Sequence, residues 1–421
     1  MRKNQVGAIA DMIGLYDLWP AFVVVALVWS LAGIPLFQRV GFESNSARIL
    51  TIDGMRGYLA LAVALHHSVI YHEFLTTGVW EYPPSAFYGL LGQLGVSFFF
   101  VISAYLFWGK LLSAKSSVNF PALLLKRAFR IGPLYIAAIG AVMVLEVING
   151  PIDYSAFATY ERAFFNLLFG VFGYAPLSSF GVYTLAGVTW TLPYEWLFYF
   201  SLPIVAIFSR HPVARLGMPV ALLGFSILMS AGGGSLAYCY LGLFAGGMMC
   251  ASLEANALLA KVHRHALSAI ALALLAYIFA TYEIAYAPVP MLLCIGSFFL
   301  IVSGADFFGL LTASRSVRLG EISYGIYLLQ GLAFVAVFSI SPVRDFALAN
   351  TSQYWLVILM TMVLLVFMAL VAHVVVEKPG VSLGNSLAAG LLLPTGETIV
   401  ASEARPWRMP RNLTIQSADR S

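Results

Sequence analysis

The sequence is poor in charge. Asp, Glu, Lys and Arg make up 10% of its 421 residues, against about 25% in soluble domains. That shortage excludes an ordinary water-facing globule. Cysteine is scarce as well: Cys239, Cys250 and Cys294 lie in or beside apolar segments. An odd count without metal-ligand spacing gives neither a disulfide framework nor a metal site. The sequence carries no Walker motif, dinucleotide fingerprint, tandem repeat or soluble domain, so phosphate-loop and Rossmann chemistry are not indicated. Small-residue runs such as Ala231-Gly232-Gly233-Gly234 and Gly246-Gly247 read as close helix contacts or turns. The N-terminus lacks the early apolar region and cleavage pattern of a signal peptide. The net charge of +4 sits mainly in short loops. It speaks to topology and not to nucleic acid.

What the sequence has is apolar length. Hydrophobic residues make up 61% of it, and a membrane-spanning helix needs about 20 mostly apolar residues. Eleven stretches meet or approach that: residues 17–37, 56–72, 91–109, 131–148, 192–209, 217–231, 237–252, 266–284, 288–304, 319–338 and 353–376. The expectation is an all-α polytopic integral membrane protein, a bundle of about ten core transmembrane helices plus one extra N-terminal helix. The short stretches at 217–231 and 237–252 can also be partly re-entrant. Residues 163–176, broken by glycines and ending at Pro176, read as interfacial or re-entrant. Three regions follow: 1–48 with the extra helix, 49–380 as the transmembrane domain, and 381–421 as a flexible cytoplasmic tail.

Loop charge sets the expected orientation. Alternate loops carry Arg39, Arg48 and Arg56, then Lys110, Lys115, Lys126, Arg127 and Arg130, then Arg210 and Arg215, Lys261 and Arg264, and Arg315 and Arg318. These loops should face the cytoplasm. The first span would then put Arg2 and Lys3 outside. Either that local bias loses, or residues 17–37 do not fully cross.

Against this apolar background, four polar groups stand out. The first is His66-His67, eleven residues past Arg56 in the stretch that opens Thr51-Ile52-Asp53-Gly54. Histidine exchanges protons near neutral pH, and an ionisable residue inside a membrane defaults to a functional reading. The plain alternative is a polar pair near a helix end, hydrogen-bonded to its neighbours. Asp53 is fourteen residues before His67, about 21 Å along a helix. The two therefore sit at opposite ends of one span. Asp53 and Arg56 read either as a site at the cytoplasmic face or as a helix cap with an interfacial anchor. The second group is Lys126, Arg127 and Arg130. Arg127 and Arg130, three apart, share a helical face and can clamp a phosphate; positive-inside anchoring explains them equally simply. The third is Glu195 among Trp190, Tyr194, Trp196, Phe198 and Tyr199. It is either a carboxylate that orients a histidine or binds a sugar hydroxyl in an aromatic pocket, or part of an interfacial aromatic belt. The fourth is Glu321, Ser323, Tyr324 and Tyr327, a polar stripe suited to bundle packing or to a site. The closing His373 and Glu377-Lys378-Pro379 read as the cytoplasmic end of the last span, with Glu377 and Lys378 as anchors and Pro379 as a stop.

Together these segments resemble the membrane acyltransferase-3 family, which includes bacterial O-acetyltransferases of lipopolysaccharide, exopolysaccharide and other glycans. The resemblance lies in Ile52-Asp53-Gly54-Met55-Arg56-Gly57 with His67 ten residues beyond, and His66 beside it. It continues in Arg127, Arg130, Pro133 and Tyr135, then in Trp190, Thr191, Leu192, Glu195, Phe198 and Tyr199. It ends in Ile322, Ser323, Tyr324, Tyr327, Leu328 and Gln330, where glutamine replaces the family's histidine. Gln330 cannot act as an acid or base, so an essential acid–base role at that position is in doubt.

The resemblance implies an O-acyltransferase of a bacterial inner membrane. It would move an acyl group, usually acetyl, from acyl-CoA to a hydroxyl of a glycan, a lipid-linked saccharide or another envelope acceptor. Acyl-CoA is then a co-substrate, with no permanently bound cofactor and no metal. The implied catalytic residues are His67, Glu195, Arg56 and Asp53. Arg127, Arg130 and Tyr135 would bind acyl-CoA. His66, Trp190, Tyr194, Tyr199, Tyr324 and Tyr327 would line the acceptor pocket. A different class, a proton-coupled transporter or flippase of a polar or lipid-linked substrate, would use the same intramembrane histidine and arginines. It would move an unmodified substrate without acyl-CoA. Nothing in the sequence sets an oligomeric state.

Overall fold

A computed structural model describes residues 14–38, 49–114, 118–150, 152–153, 156–168, 170–173, 175–178, 181–254, 258–259 and 261–391. Every regular element among them is helical. In chain order these are α1 (Trp19–Leu31), α2 (Leu50–Thr77), α3 (Ala86–Ser113), α4 (Phe120–Asn149), α5 (Phe157–Asn166), α6 (Leu192–Ser209), α7 (Ala214–Ala231) and α8 (Ala237–Glu254). There follow α9 (Arg264–Thr281), α10 (Pro288–Val302), α11 (Ser314–Glu321), α12 (Ser323–Phe338), α13 (Ser341–Leu348), α14 (Thr351–Ala372) and α15 (Lys378–Gly390). Single helical turns occur at Pro35–Gln38 and Gly181–Thr184, and a 3-10 turn, Val188–Thr191, leads into α6. Arg2, Lys3, Arg39, Arg48 and Lys115, and the rest of the expected tail from residue 392, lie outside the described residues.

The all-α architecture agrees with the sequence reading; the expected bundle of about ten core spans plus an N-terminal one does not. Among the described residues six helices are long and apolar enough to cross a membrane: Ala86–Ser113, Phe120–Asn149, Val188–Ser209, Ala214–Ala231, Arg264–Thr281 and Thr351–Gly390. A seventh arises if α11 and α12, bent by 63° at their junction, count as one span. The physical reasons differ. In the stretch 17–37, α1 has only 13 residues before the turn at Gly33 and the restart at Pro35, well short of about 20. Helix α10 has 15. Helix α2 has length to spare at 28 residues, but Asp53, Arg56 and its three histidines dilute its hydropathy. Glycine and polar residues do the same for α8. These helices are apolar enough to bury in the bundle, which a hydropathy count alone does not distinguish from spanning. The helices long and apolar enough to span include α7 and α9, which leave apolar side chains such as Leu228 (73% exposed) and Ile270 (50%) uncovered by protein. That is the surface a multi-pass membrane protein offers to lipid.

Helix α2 runs through the centre, packed on α3, α11 and α12. Its approach to α11 is made by glycine. A methyl group on Gly54 would lie 1.8 Å from the Leu311 carbonyl oxygen, and one on Gly320 would lie 1.8 Å from the Asp53 carbonyl oxygen. Gly57 faces Leu319 in the same way, at 2.6 Å. Small residues let membrane helices come this close. Gly247 plays the same part between α8 and α3, where a methyl would meet the Val101 carbonyl at 2.3 Å. The Ala231–Gly234 run is a turn, with Gly233 at φ 78°, in the left-handed region that suits glycine.

The last span does not stop at Pro379. A π-helical turn, His373–Glu377, joins α14 to α15, and the Lys378 amide donates to the His373 carbonyl five residues back. Proline has no amide to continue the ladder. It sits here in the first turn of α15, where that amide is not needed. The fold also buries Glu146 of α4 completely. Its Oε1 accepts the Leu177 and Ser178 amides, each at 2.8 Å, and so ties the 175–178 segment to α4. Glu146→Ala should destabilise the protein by at least about 2 kcal/mol, since those amides lose a charged acceptor. A thermal melt in detergent reads this, and an unchanged Tm would show that the staple carries no stability.

Candidate functional site

A cavity of about 960 Å³, its open mouth included, lies between α2, α3, α4, α6 and α12. Three guanidinium groups reach its wall, Arg56, Arg127 and Arg130, with one carboxylate, Glu195. Tyr199, Tyr324 and Tyr327 add hydroxyl-bearing rings, and Phe99, Phe100 and Phe107 add apolar wall. Three of the lining charges are positive and one negative, while Asp53 acts on Arg56 and Glu377 pairs with Arg130 from behind the wall. Such a wall favours an anionic ligand with an apolar portion.

Each charged group is fixed by its own neighbours. Arg56 is set by the glycine crossing, since Gly54 and Gly57 flank it in the close contact with α11. Arg127 lies over the Phe107 ring, with its guanidinium carbon 4.4 Å from the centroid, a cation–π contact. Arg130 pairs with Glu377 at 3.4 Å, and the same Glu377 oxygen accepts from His373 Nδ1 at 3.2 Å. Glu377 is therefore not an interfacial anchor: it is 1% exposed. The π turn carries both His373 and Glu377. Extra-residue turns of this kind recur at functional sites. Glu195 Oε1 accepts from Ser103 Oγ at 3.0 Å and from the Tyr199 hydroxyl.

The histidines lie beyond this cavity. His67 Nδ1 is 3.0 Å from Gln330 Oε1, and its ring stacks on Trp80 with centroids 6.2 Å apart. His66 donates Nδ1–H to the Tyr88 carbonyl at 2.8 Å. Its ring lies so close to α3 that a methyl on Gly92 would approach it to 2.5 Å. Neither histidine lines the cavity. Two helices nevertheless lead from one to the other. On α12, Tyr327 lines the cavity, and Gln330, three residues on, donates Nε2–H to the Tyr327 carbonyl at 2.6 Å while facing His67. On α3, Val96 lines the cavity and Gly92, four residues earlier, meets His66. The residues that meet the histidines, Gln330 and Gly92, thus lie about one helical turn, ~5 Å, along α12 and α3 from the cavity wall.

The remaining sequence-derived candidates scatter more. Asp53 is not the cap of α2: the helix starts at Leu50 with Ile49 as N-cap, which leaves Asp53 in the first turn. There its negative charge still complements the helix dipole and acts on Arg56. Tyr135 is buried away from the cavity, and its hydroxyl donates to the Gly173 carbonyl at 3.3 Å. Trp190 and Tyr194 pack on Tyr240, with centroids 5.1 and 4.9 Å away, behind Phe100. They do not line the cavity. Tyr324 donates to the Ile131 carbonyl at 2.9 Å, and Tyr327 to the Val188 carbonyl at 2.8 Å. The sequence offered Glu195 as a carboxylate that orients a histidine; in the fold it shares the cavity with the arginines. The sequence reading missed Glu377 as a partner of Arg130. Its one signal was a carboxylate four residues after a histidine and two before a proline.

The family model described as an acyltransferase domain, of acyltransferase family 3, matches residues 49–372. The chain belongs to the acyltransferase-3 family. The match runs from the residue before α2 to the end of α14, so it takes in the cavity and both histidines of this acyltransferase-3 protein. Glu377, the partner of Arg130, lies just past it. No curated protein and no solved structure matches the chain.

Proposed function

We propose that this acyltransferase-3 protein transfers an acyl group, acetyl by the family resemblance, from acyl-CoA to a hydroxyl of a glycan or other envelope acceptor at a bacterial inner membrane. The observation that carries the reading is the cavity: three arginines and one glutamate on a wall of aromatic, aliphatic and hydroxyl side chains, whose helices α3 and α12 lead within about one turn to the residues that meet the paired histidine. An acyl-CoA has the matching chemistry, with phosphates at one end and a thin, largely uncharged arm that carries the thioester at the other. Arg127 and Arg130 hold the phosphates. Arg56, deeper along α2, stabilises negative charge.

His67 then removes the proton from the acceptor hydroxyl as that oxygen attacks the thioester carbonyl. The new C–O bond forms and the C–S bond breaks. CoA leaves as a thiolate and takes up the proton from the imidazolium. The products are the O-acyl ester and CoA thiol, and the histidine returns to its neutral form. The acceptor approaches His67 beside Trp80, a partly exposed aromatic ring next to the imidazole.

The test uses membranes that carry the protein, host glycans and lipids as acceptors, and radiolabelled acetyl-CoA. Label should enter a glycan or lipid fraction only when the native protein is present. Arg130→Met should raise the KM for acetyl-CoA by about 10–100-fold, the equivalent of one lost charge-assisted hydrogen bond. Net movement of an unmodified saccharide, with no dependence on acyl-CoA, would replace this reading with transport.

A further inference from the structure

Position 330 is where this chain departs from the histidine its motif resembles, and the glutamine found there is completely buried. Its amide makes two hydrogen bonds, with Nε2 2.6 Å from the Tyr327 carbonyl oxygen and Oε1 3.0 Å from His67 Nδ1. A carbonyl oxygen only accepts, so the amide group that faces Tyr327 must be the NH₂. A flipped amide would set two oxygens 2.6 Å apart with no proton between them. The Oε1 end is therefore fixed toward His67, and Oε1 also only accepts. The proton in that contact must then belong to His67 Nδ1. In the neutral ring this leaves the lone pair on Nε2.

We propose that Gln330 is a positioning residue that holds His67 in the Nδ1–H tautomer, so that Nε2 serves as the base. This rests on the functional reading above. The same amide couples the base to the cavity, because the carbonyl that fixes its orientation belongs to Tyr327, a cavity-wall residue. Trp80, stacked at 21° to the imidazole, holds the ring plane from one face. Gln330 thus orients the ring without titrating. A histidine at the same position would have to be in one particular tautomer to do the same. The substitution leaves the base in place and removes a second titratable group from beside it.

The test reads the tautomer directly. The protein is labelled with ¹⁵N-histidine and purified in detergent, and its long-range ¹H–¹⁵N spectrum is compared with that of His67→Asn to assign the His67 ring. The native spectrum should show a protonated Nδ1 and an unprotonated Nε2. Gln330→Met keeps the bulk and removes both polar groups. It should release the ring to a tautomer mixture and lower turnover by about tenfold or more, with the KM for acetyl-CoA unchanged. A native ring protonated on Nε2 would overturn the proposal. So would a Gln330→Met protein with native tautomer and native turnover. Absence of acyl transfer by the native protein would overturn the functional reading alone, because the spectrum reports the tautomer without turnover.

Discussion

Replacing His67 by alanine should reduce acyl transfer by about 10²–10⁴-fold, the range that a positioned general base contributes. An acceptor hydroxyl is a weak acid, so without a base its attack on the thioester must wait for a proton to leave unaided. His67 is partly exposed, and its ring is hydrogen-bonded to Gln330 and to the Val63 backbone. Truncation therefore leaves Gln330 short of one partner but opens no gap in the glycine-packed crossings. The protein should accumulate and remain monodisperse. The KM for acyl-CoA should stay near native, because His67 does not line the arginine cavity. His66→Ala should behave differently. That ring fills the space between α2 and Gly92 and satisfies the Tyr88 carbonyl, so its loss should show first in the melt. The comparison is made in membranes with acetyl-CoA and acceptor in excess, normalised to protein. A His67→Ala protein that transfers at the native rate would remove His67 from the chemistry.

Much of this site was legible in the residues themselves. Arg56, Arg127, Arg130, Glu195, Tyr199, Tyr324 and Tyr327 come from four helices, and the fold gathers all of them on one cavity wall. Their residue types stood out because charge and hydroxyl groups are scarce in an apolar chain. What the sequence did not carry was depth. The 3-10 turn Val188–Thr191 leads α6 onto the cavity, with Thr191 Oγ1 3.0 Å from the Tyr327 hydroxyl. Such a turn has no hydropathy signature. Glu377 was hidden for a related reason. In an α-helical count it falls at the end of a span beside a lysine and a proline, the usual setting of an anchor. The π turn and the continuation into α15 put it in the interior against Arg130.

The helical class followed from composition; the number of spans did not. Window hydropathy measures transfer out of water, and a helix can leave water either for lipid or for other helices. Helices α8 and α10 are apolar because they are packed. Helix α2, the most informative element in the sequence, is the reverse case. Of its 28 residues, 16 are buried, yet it carries the polar groups of the site. Its glycines were read as motif positions, and the structure gives them a physical job in the crossing with α11.

That crossing supports the second large effect. Gly320→Val should prevent the protein from accumulating, and Gly54→Val should do the same. A Cβ at either position would lie 1.8 Å from a backbone carbonyl oxygen of the facing segment. Overpacking costs about 1–3 kcal/mol where side chains can yield. Here the obstacle is backbone, so α2 and α11 would have to separate along their whole contact. Separation would also move Arg56, which lies between Gly54 and Gly57, and with it one wall of the cavity. Any Gly320→Val protein that survives should therefore bind acyl-CoA poorly. Gly140→Ala supplies the control. It lies within α4, and a methyl there meets nothing within 4 Å. Replacing a helix-interior glycine with alanine at such a position should stabilise by up to about 1 kcal/mol. Membrane-fraction yield and melting temperature separate the two cases. Native yield for Gly320→Val would mean that α11 is free to shift away from α2, and Arg56 would then owe its position to the arginine and carboxylate charges around it instead of to the glycine contact.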